Sequence, residues 1–362
     1  MLGYIFIVVL WAGCGWIPAT AASDGPSADL ITPAEAKNFI LVIGDGMGFE
    51  QVRAASYYHA GTEEALAFHE LPHRGEVTTD SASIFVTDSA AAGTAMATGV
   101  KVYNGVISVR RPGDGAALET ILEYHRAQGR GAGLVTTTYA THATPAAFAA
   151  HEEDRGNTAE IAVDCFTETQ PDVILGGGGN GVSRELAESS GYTVVTTRAE
   201  LEALATGQVA RISGQFGTTH LPYEVDGLGD LPHLSEMTRV AVEILANDSD
   251  GFFLMVEAGR IDHAGHANDL AANIGETLEL SRTVAWLHDW AEADGETLLV
   301  VTSDHETGGM EVLANRGEGV LPDVGWSSTG HTRANVPIYA VGPGADGVTG
   351  SIDNTDIYWL MR

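Results

Sequence analysis

Asn38-Phe39-Ile40-Leu41-Val42-Ile43 and the adjoining Gly44-Asp45-Gly46-Met47-Gly48 form the stretch that decides the fold. The first part is a continuous apolar run, which is typical of a parallel strand buried on both faces of its sheet. The second part is a turn whose glycines permit a tight bend and a close approach of the backbone to a ligand. We therefore expect a central strand that delivers Asp45 to a site beyond its carboxyl end.

Further apolar runs of the same character alternate with helical patterns along the chain. Strands are expected at residues 132–137, 173–175, 252–256, 298–302 and 337–341, and helices at 115–128, 158–167, 198–206, 234–246 and 268–293. This alternation predicts an α/β fold with a large, mostly parallel central sheet and helices on both faces. The glycine-rich residues 176–235 have mixed patterning and are interpreted as an insertion on the sheet.

The composition is strongly acidic. The 362 residues include 18 lysines and arginines against 49 aspartates and glutamates, and the formal net charge is −31. Such a surface argues against nucleic acid as a partner, because nucleic acid needs a positive footprint. With 44% hydrophobic residues the chain has enough apolar surface for a packed core. High salt screens self-repulsion of this kind, so a halophilic source is our hypothesis.

The first residues are typical of an export signal. Residues 2–16 are apolar, and Ala19-Thr20-Ala21 offers a small-residue cleavage site, although no basic residue precedes Lys37. We predict a signal peptide at 1–22, a flexible lead-in at 23–35, one domain at 36–362, and a periplasmic or secreted product. The apolar run is too short for a transmembrane span. A lipid anchor at Cys14 is the alternative, because Trp11-Ala12-Gly13-Cys14 vaguely resembles a lipobox.

Removal of this leader leaves Cys165 as the one cysteine, so the mature chain forms no internal disulfide. Cys165 lies in an amphipathic helical pattern, and we expect it to be a buried small hydrophobic residue.

A second stretch, residues 86–98, is polar at Thr87-Asp88-Ser89 and then continues through small uncharged residues. It predicts a buried helix whose first turn presents a hydroxyl to an open site. Helix N-termini attract anions such as phosphate. The alternative from this stretch alone is a core helix with Asp88 or Ser89 as its N-cap.

Side chains able to bind metals follow four of the predicted strands. They are Asp45; His142 and Thr144; Glu257, Asp262, His263 and His266; and Asp304 and His305, with His331 further along. Asp262 and His266 are at positions i and i+4, which lie on one face of a helical turn. Mixed histidine and carboxylate ligands suit Zn²⁺, whereas carboxylate and hydroxyl oxygens alone suit Mg²⁺.

Each of these residues also has an ordinary structural explanation. Asp45 fits a turn cap, Glu257 and Asp262 fit ion pairs with Arg260, and a single histidine fits a half-buried structural role. Residues able to bind metals are much less expected by chance at four strand ends than at one, so the set as a whole favours a metal site. Seven other histidines lack such neighbours in the sequence and are assigned to the surface or the core: His59, His69, His73, His125, His220, His233 and His288.

Taken together, these motifs resemble the alkaline phosphatase family. They are Asp45 in its turn, Asp88-Ser89-Ala90, His142-Ala143-Thr144-Pro145, the segment from Glu257 to His266, Asp304-His305-Glu306-Thr307-Gly308-Gly309 and Gly330-His331-Thr332. They follow the family's order from about residue 38 onward. Asp353-Asn354-Thr355-Asp356-Ile357 resembles the family's terminal segment as well.

The resemblance implies two Zn²⁺, one Mg²⁺ and a role for each residue. Ser89 is the expected nucleophile that becomes phosphoserine, and Arg155 is the expected phosphate clamp, although a surface arginine would have the same local context. The implied metal ligands are Asp262, His266 and His331 for one zinc ion, Asp45, Asp304 and His305 for the other, and Asp45, Thr144 and Glu257 for magnesium.

Two positions depart from the pattern of some bacterial members, which carry Asp in place of His142 and Lys in place of His263. Both histidines are expected to support the site without binding the metals directly. We expect His142 to affect magnesium affinity and to favour a more alkaline optimum. The short segment between His305 and His331 predicts a compact family member, and the resemblance suggests a homodimer.

The sequence therefore predicts an exported alkaline phosphatase of broad specificity that hydrolyses phosphate monoesters. A phosphodiesterase or sulfatase of the same superfamily is the nearest alternative, but the sulfatase signature Cys/Ser-x-Pro-x-Arg is not found around Ser89. A non-catalytic protein that binds metal or phosphate is the alternative from another class. It would be expected to have lost a ligand or the nucleophile.

Overall fold

The predicted apolar run forms β1 (Asn38–Gly44), a central strand of a ten-stranded sheet. The computed structural model describes residues 36–83 and 86–362, together with Gly3. β1 is buried throughout and pairs in parallel with β7 (Phe252–Ala258) on one side and β8 (Thr297–Thr302) on the other. The predicted fold class, a large and mostly parallel sheet covered by helices, is confirmed.

The sheet has the strand order β14-β2-β13-β8-β1-β7-β3-β4-β6-β5. Its pairings are parallel except those of β13 with β2 and β8. Two small sheets, β10 with β11 and β9 with β12, lie outside it. The other strands are β2 (His73–Thr78), β3 (Gly131–Tyr139), β4 (Val173–Gly177), β5 (Thr193–Val195), β6 (Ile212–Gln215), β9 (Glu306–Thr307), β10 (Met310–Ala314), β11 (Asp323–Trp326), β12 (His331–Thr332), β13 (Val336–Val341) and β14 (Gly350–Asp353).

Helices cover both faces of the sheet and enclose two apolar cores. Ile40 and Val42 of β1 belong to one core, whereas Phe39, Leu41 and Ile43 belong to the other, because successive residues of a strand point to opposite faces. The helices are α1 (Phe49–Ala60), α2 (Ser89–Thr98), α3 (Ile121–Ala127), α4 (Ala143–Ala149), α5 (Thr158–Val163), α6 (Arg184–Ser189), α7 (Arg198–Glu202), α8 (Leu234–Leu245), α9 (Arg260–Ala267), α10 (Leu270–Asp294) and α11 (Asp356–Leu360). Short 3₁₀ turns occur at Ala67–Glu70, Thr206–Gln208, Glu224–Asp226 and Ala345–Gly347.

Several predicted helix bounds are wrong. The helix expected from residue 115 begins only at Ile121, because Thr120 accepts a hydrogen bond from Glu123 N and caps the first turn. The helix expected at 198–206 ends at Glu202. The pattern at 158–167 is an α-helix only to Val163 and continues as a π-helix over Asp164–Thr169.

The interpretation of residues 176–235 as an insertion on the sheet is also wrong. These residues contribute β5 and β6, which extend the central sheet beyond β4. Both strands are short, at three and four residues, so they leave little periodicity for a sequence pattern to show.

The predicted signal peptide (1–22), lead-in (23–35) and lipid attachment at Cys14 lie outside the described residues. The described residues from 36 onward belong to one compact unit. Within them, no helix is both long enough and apolar enough to cross a membrane. Cys165 is buried and unpaired, as predicted.

Candidate active site

The central strands bring the predicted metal ligands to one edge of the sheet. β8, β1, β7 and β3 are neighbours and run parallel, so their carboxyl ends lie side by side. Asp45 follows β1 and Glu257 lies near the end of β7. Asp304 and His305 follow β8, and His142 follows β3. The edge of a parallel sheet beyond its carboxyl ends is where ligands bind in folds of this kind.

One group of potential ligands consists of Asp262, His266 and His331. Asp262 and His266 lie on α9, and His331 opens β12. The Nε2 atoms of the two histidines are 3.1 Å apart, and each lies within 3.5 Å of Asp262 Oδ1. Three ligand atoms thus converge on one point.

Backbone carbonyls orient both histidines. His266 Nδ1 donates to Thr329 O at 2.6 Å, and His331 Nδ1 donates to Thr87 O at 2.9 Å. Because a carbonyl can only accept, Nδ1 carries a proton in both rings, and Nε2 is the nitrogen available to a metal. This arrangement is the usual support of histidine ligands.

A second group brings Asp45 and Asp262 together with His305, all of them buried. His305 Nε2 lies 3.1 Å from Asp304 Oδ2 and 3.6 Å from Asp45 Oδ1. Asp304 thus adjoins this group, as the sequence predicted for a second zinc site. Both carboxylate oxygens of Asp45, and Oδ2 of Asp304, are buried without a hydrogen-bond partner.

A third group consists of Asp45, His142 and Glu257. The hydroxyl of Thr144 and Glu257 Oε1 are buried without a partner, whereas Glu257 Oε2 is bonded by Thr136 and Thr138. The structure therefore places His142 among the potential ligands, although only a supporting role was predicted for it.

Three of the carboxyl groups gathered here, those of Asp45, Asp304 and Glu257, need positive charge to be ionised. Burial, reinforced by Asp304 and Asp262, raises the pKa of Asp45 well above its usual range. Burial likewise raises the pKa of Asp304 to about 6 and the pKa of Glu257 to about 7. Buried carboxylates without hydrogen-bond partners are costly unless a cation compensates them. The donor set therefore fits bound divalent metals.

Ser89 lies beside these ligands at the first position of α2. Asp88 is the N-cap of the helix and accepts a hydrogen bond from Ala91 N, which confirms one of the predicted caps. The Ser89 hydroxyl is 3.3 Å from His305 Nε2. A helix N-terminus with a serine at its opening is a favourable place for an anion.

Arg155 reaches the same place from a turn between α4 and α5. Its Nη1 donates to Asp88 Oδ2 at 3.0 Å, and its Nη2 donates to His142 Nε2 at 3.3 Å. Its backbone N–H is held by Gly105 O at 2.8 Å. The guanidinium is thus fixed beside Ser89 by two side chains, and it does not lie on a surface helix.

Two more histidines pack against His142, and sequence reasoning missed one of them. His263 accepts a hydrogen bond from Arg260 Nη1 at 2.7 Å. Burial and, to a smaller extent, the positive charge of Arg260 lower the pKa of His263 to about 4. His220, assigned to the surface or core from the sequence, packs against His263 and His142. No signal in the sequence pointed to His220, because it follows β6, a strand too short to be recognised from the sequence.

His233 also has neighbours that the sequence did not reveal. It forms a further group of potential ligands with Glu224 and Glu279. His233 Nδ1 is already bonded to the Glu224 carboxylate at 2.8 Å, and Glu279 accepts from Ser235 N at 2.9 Å. These bonds account for the group without a metal ion.

Comparison with known proteins agrees with the site. The model of the alkaline phosphatase family matches residues 36–186 and 177–321. Alkaline phosphatase 3 of Bacillus subtilis is 33% identical, covering 95% of this chain and 91% of that protein. Streptomycin-6-phosphate phosphatase of Streptomyces griseus is 32% identical, covering 94% and 92%.

A solved structure shows the same fold. The alkaline phosphatase of the Antarctic bacterium TAB5 has a TM-score of 0.80 and 30% identity, covering 91% of this chain and 98% of that one. A mutant of the TAB5 enzyme has Mg bound in a site named M3. With sequence, fold and clustered side chains in agreement, the chain belongs to the alkaline phosphatase family and is a phosphate monoester hydrolase.

Proposed function

We propose that this phosphomonoesterase works through a phosphoserine formed on Ser89. The Ser89 oxygen attacks the phosphorus of the bound ester, the bond from phosphorus to the alcohol oxygen breaks, and the alcohol leaves with a proton. Water then attacks the same phosphorus, which releases inorganic phosphate and restores the serine hydroxyl. The proposal is supported by the position of Ser89 at the opening of α2, 3.3 Å from His305 Nε2.

Arg155 is proposed to bind the phosphoryl group. A guanidinium presents two parallel N–H groups and pairs with two phosphoryl oxygens, which lysine cannot reproduce. Asp88 and His142 hold Arg155 through Nη1 and Nη2. Asp88 therefore has two tasks, because it caps α2 and also orients the arginine.

The metals proposed are two Zn²⁺ and one Mg²⁺. Asp262, His266 and His331 would hold one zinc ion; Asp45, Asp304 and His305 the other; and Asp45, Thr144 and Glu257 the magnesium ion. When bound, such metals supply positive charge that favours the ionised serine and water and stabilises the departing oxygen. The unpartnered oxygens of Asp45, Asp304, Thr144 and Glu257 support these assignments.

His142 bears on the identity of the third metal. Its ring lies within reach of Asp45 and Glu257, and an imidazole is a poorer partner than a carboxylate for Mg²⁺. We therefore propose weaker magnesium binding, and a more alkaline optimum, than in relatives with Asp at this position. His263 is proposed to act only in support of the site.

The proposal extends to location, assembly and domain limits. Residues 36–362 are proposed as the catalytic domain, exported by the leader at 1–22 or anchored by a lipid at Cys14. A homodimer is proposed from the family resemblance. Small phosphate monoesters are the proposed substrates, and no nucleic acid is expected as a specific partner of a chain with a net charge of −31.

The experiment that tests this function compares p-nitrophenyl phosphate with bis-p-nitrophenyl phosphate from pH 7 to 11. The enzyme is assayed as prepared, after EDTA treatment, and after Zn²⁺ and Mg²⁺ are restored. We expect strong monoesterase activity that EDTA abolishes, that metal restores, and that Ser89→Ala lowers by roughly 10³-fold or more, as when a nucleophile is lost. Ser56→Ala, which alters a buried serine of α1 outside the site, serves as the matched control.

A preference for the diester would move the chain to the phosphodiesterases. Full activity in the folded Ser89→Ala variant would remove Ser89 as the nucleophile. No turnover of either ester by metal-loaded protein would contradict the assignment altogether.

A further inference from the structure

His220 occupies a position that the proposed mechanism leaves unused. It lies in the loop after β6 and is half-buried, with a side-chain Nδ1 that is enclosed without a hydrogen-bond partner. Its ring centroid is 4.4 Å from that of His263, 4.7 Å from that of Tyr139 and 5.6 Å from that of His142. The ring therefore makes its contacts through its edge and faces rather than through hydrogen bonds.

Close backbone approaches fix the loop that carries His220. A Cβ atom on Gly177 would come within 1.8 Å of Thr219 O, and one on Gly179 would come within 2.4 Å of Thr218 O. The two glycines at the end of β4 thus let the loop approach in a way no other residue allows. On the other side, Leu221 N donates to Thr137 O at 3.0 Å, and the Leu221 side chain is buried. His220 is therefore fixed on both sides.

The histidine rings form a continuous contact from this loop to the phosphate site. His220 and His263 are both nearly perpendicular to His142, at 81° and 79°. His142 in turn accepts a hydrogen bond from Arg155 Nη2. The position of the His142 ring, and with it the direction of the Arg155 guanidinium, depends on what packs behind His142.

We propose that His220 is a positioning residue for phosphate binding, whose ring packs against His142 and thereby holds Arg155 in its binding direction. The inference rests on the proposed function, because it assumes that Arg155 binds phosphate. The ring acts through its shape. Its nitrogens are not required, since neither makes a hydrogen bond within the described residues.

The test uses two variants of the metal-loaded enzyme that separate shape from hydrogen bonding. His220→Phe keeps the ring and removes the nitrogens, whereas His220→Gln keeps a polar side chain and removes the ring. The readouts are KM for p-nitrophenyl phosphate and the competitive inhibition constant Ki of inorganic phosphate. We expect His220→Gln to raise both at least about threefold, the lower range for coupled neighbours, and His220→Phe to change neither beyond about twofold.

A double-mutant cycle with Arg155→Ala tests the route of the effect. If His220 acts through Arg155, the Gln substitution has little further effect on Ki once Arg155 is gone. Arg155→Ala alone must raise Ki; if it does not, the proposed function fails before His220 is tested. His69→Ala is the matched control, because His69 also packs on aromatic rings, Phe68 and Tyr339, but lies away from the site.

Three results would overturn the inference. They are an unchanged Ki in His220→Gln, an equal loss in His220→Phe, and a full effect of His220→Gln in the Arg155→Ala background. If His220→Gln does not fold, His220→Met replaces it, because methionine also lacks a ring and adapts to irregular space. If His69→Ala has a Tm similar to that of His220→Gln and also raises Ki, loss of stability alone produces the effect.

Discussion

At the scale of single residues, the site is built from groups that are costly unless they are paired. The oxygens of Asp45 are buried without partners, and so is one oxygen each of Asp304 and Glu257. Ser89, by contrast, is placed with little strain at the start of a capped helix. The same sequence thus gives up stability at the proposed metal ligands and keeps the proposed nucleophile in an ordinary conformation.

From the buried Glu276 of α10 we predict how stability changes at alkaline pH. Burial raises its pKa to about 8, against 4.5 for an ordinary glutamate, even though Glu224 N donates to it. Its contribution to the free energy of unfolding is therefore fully present below about pH 4.5 and is lost as the pH rises through about 8. Between these two pKa values the free energy of unfolding falls by about 1.4 kcal/mol for each pH unit. We expect Glu276→Gln to raise the Tm at pH 9 by several degrees and to leave the Tm at pH 5 nearly unchanged.

The control for this prediction is Glu202→Gln, which alters an exposed glutamate at the end of α7. Thermal unfolding followed at both pH values checks the result. An equal effect of Glu276→Gln at pH 5 and pH 9 would show that ionisation of Glu276 is not the cause.

At the scale of elements, the long buried strands were predictable, whereas the short strands and the loops were not. β1, β7 and β8 are buried on both faces, so each appears as a continuous apolar run. α3 was predicted too long, because residues before Thr120 share its composition and only the cap shows where the helix begins. His220 was missed because its neighbours come from other strands, and no local pattern joins them.

Substitution of Gly177 tests how the end of β4 supports the loop that carries His220. Gly177→Ala forces Thr219 O away from a Cβ atom that would lie 1.8 Å from it. We expect a loss of about 1–3 kcal/mol in the free energy of unfolding, the usual cost of crowding a packed site. Denaturant unfolding measures this loss. Gly325→Ala in β11 is the control for an added methyl group, because Gly325 has no positive φ and its Cβ would meet only Leu313 Cδ1, at 3.8 Å. A smaller loss for Gly177→Ala than for Gly325→Ala would contradict the close approach.

At the scale of the whole molecule, four neighbouring parallel strands explain why distant motifs meet. The order β8-β1-β7-β3 brings together residues as far apart in sequence as Asp45 and His305. Sequence reasoning found these residues because each follows a recognisable strand. It could not supply distances, nor show that His142 lies among the potential ligands, because both depend on packing across the sheet.

The charge of the whole molecule predicts a response to salt. A net charge of −31 destabilises the folded state by self-repulsion, and salt shortens the range of that repulsion from about 10 Å at 0.1 M to about 3 Å at 1 M. We expect the Tm to rise by about 5 °C or more between 0.1 M and 2 M KCl, which for a chain of this length corresponds to about 3–4 kcal/mol at an unfolding entropy of about 2.1 cal/mol/K per residue. Sucrose at matched osmolarity is the control for solute exclusion. A Tm that does not rise with KCl would remove the halophilic hypothesis.

The central claim is that phosphoryl transfer passes through Ser89, and one measurement tests it most directly. Metal-loaded enzyme is mixed with excess p-nitrophenyl phosphate at mildly acidic pH, quenched with acid, digested and analysed by mass spectrometry. We predict one added phosphoryl group on the peptide that contains Ser89, absent from Ser89→Ala and unchanged in Ser56→Ala. An active enzyme that carries no phosphoryl group there under any quench condition, or carries it on another residue, would contradict the account.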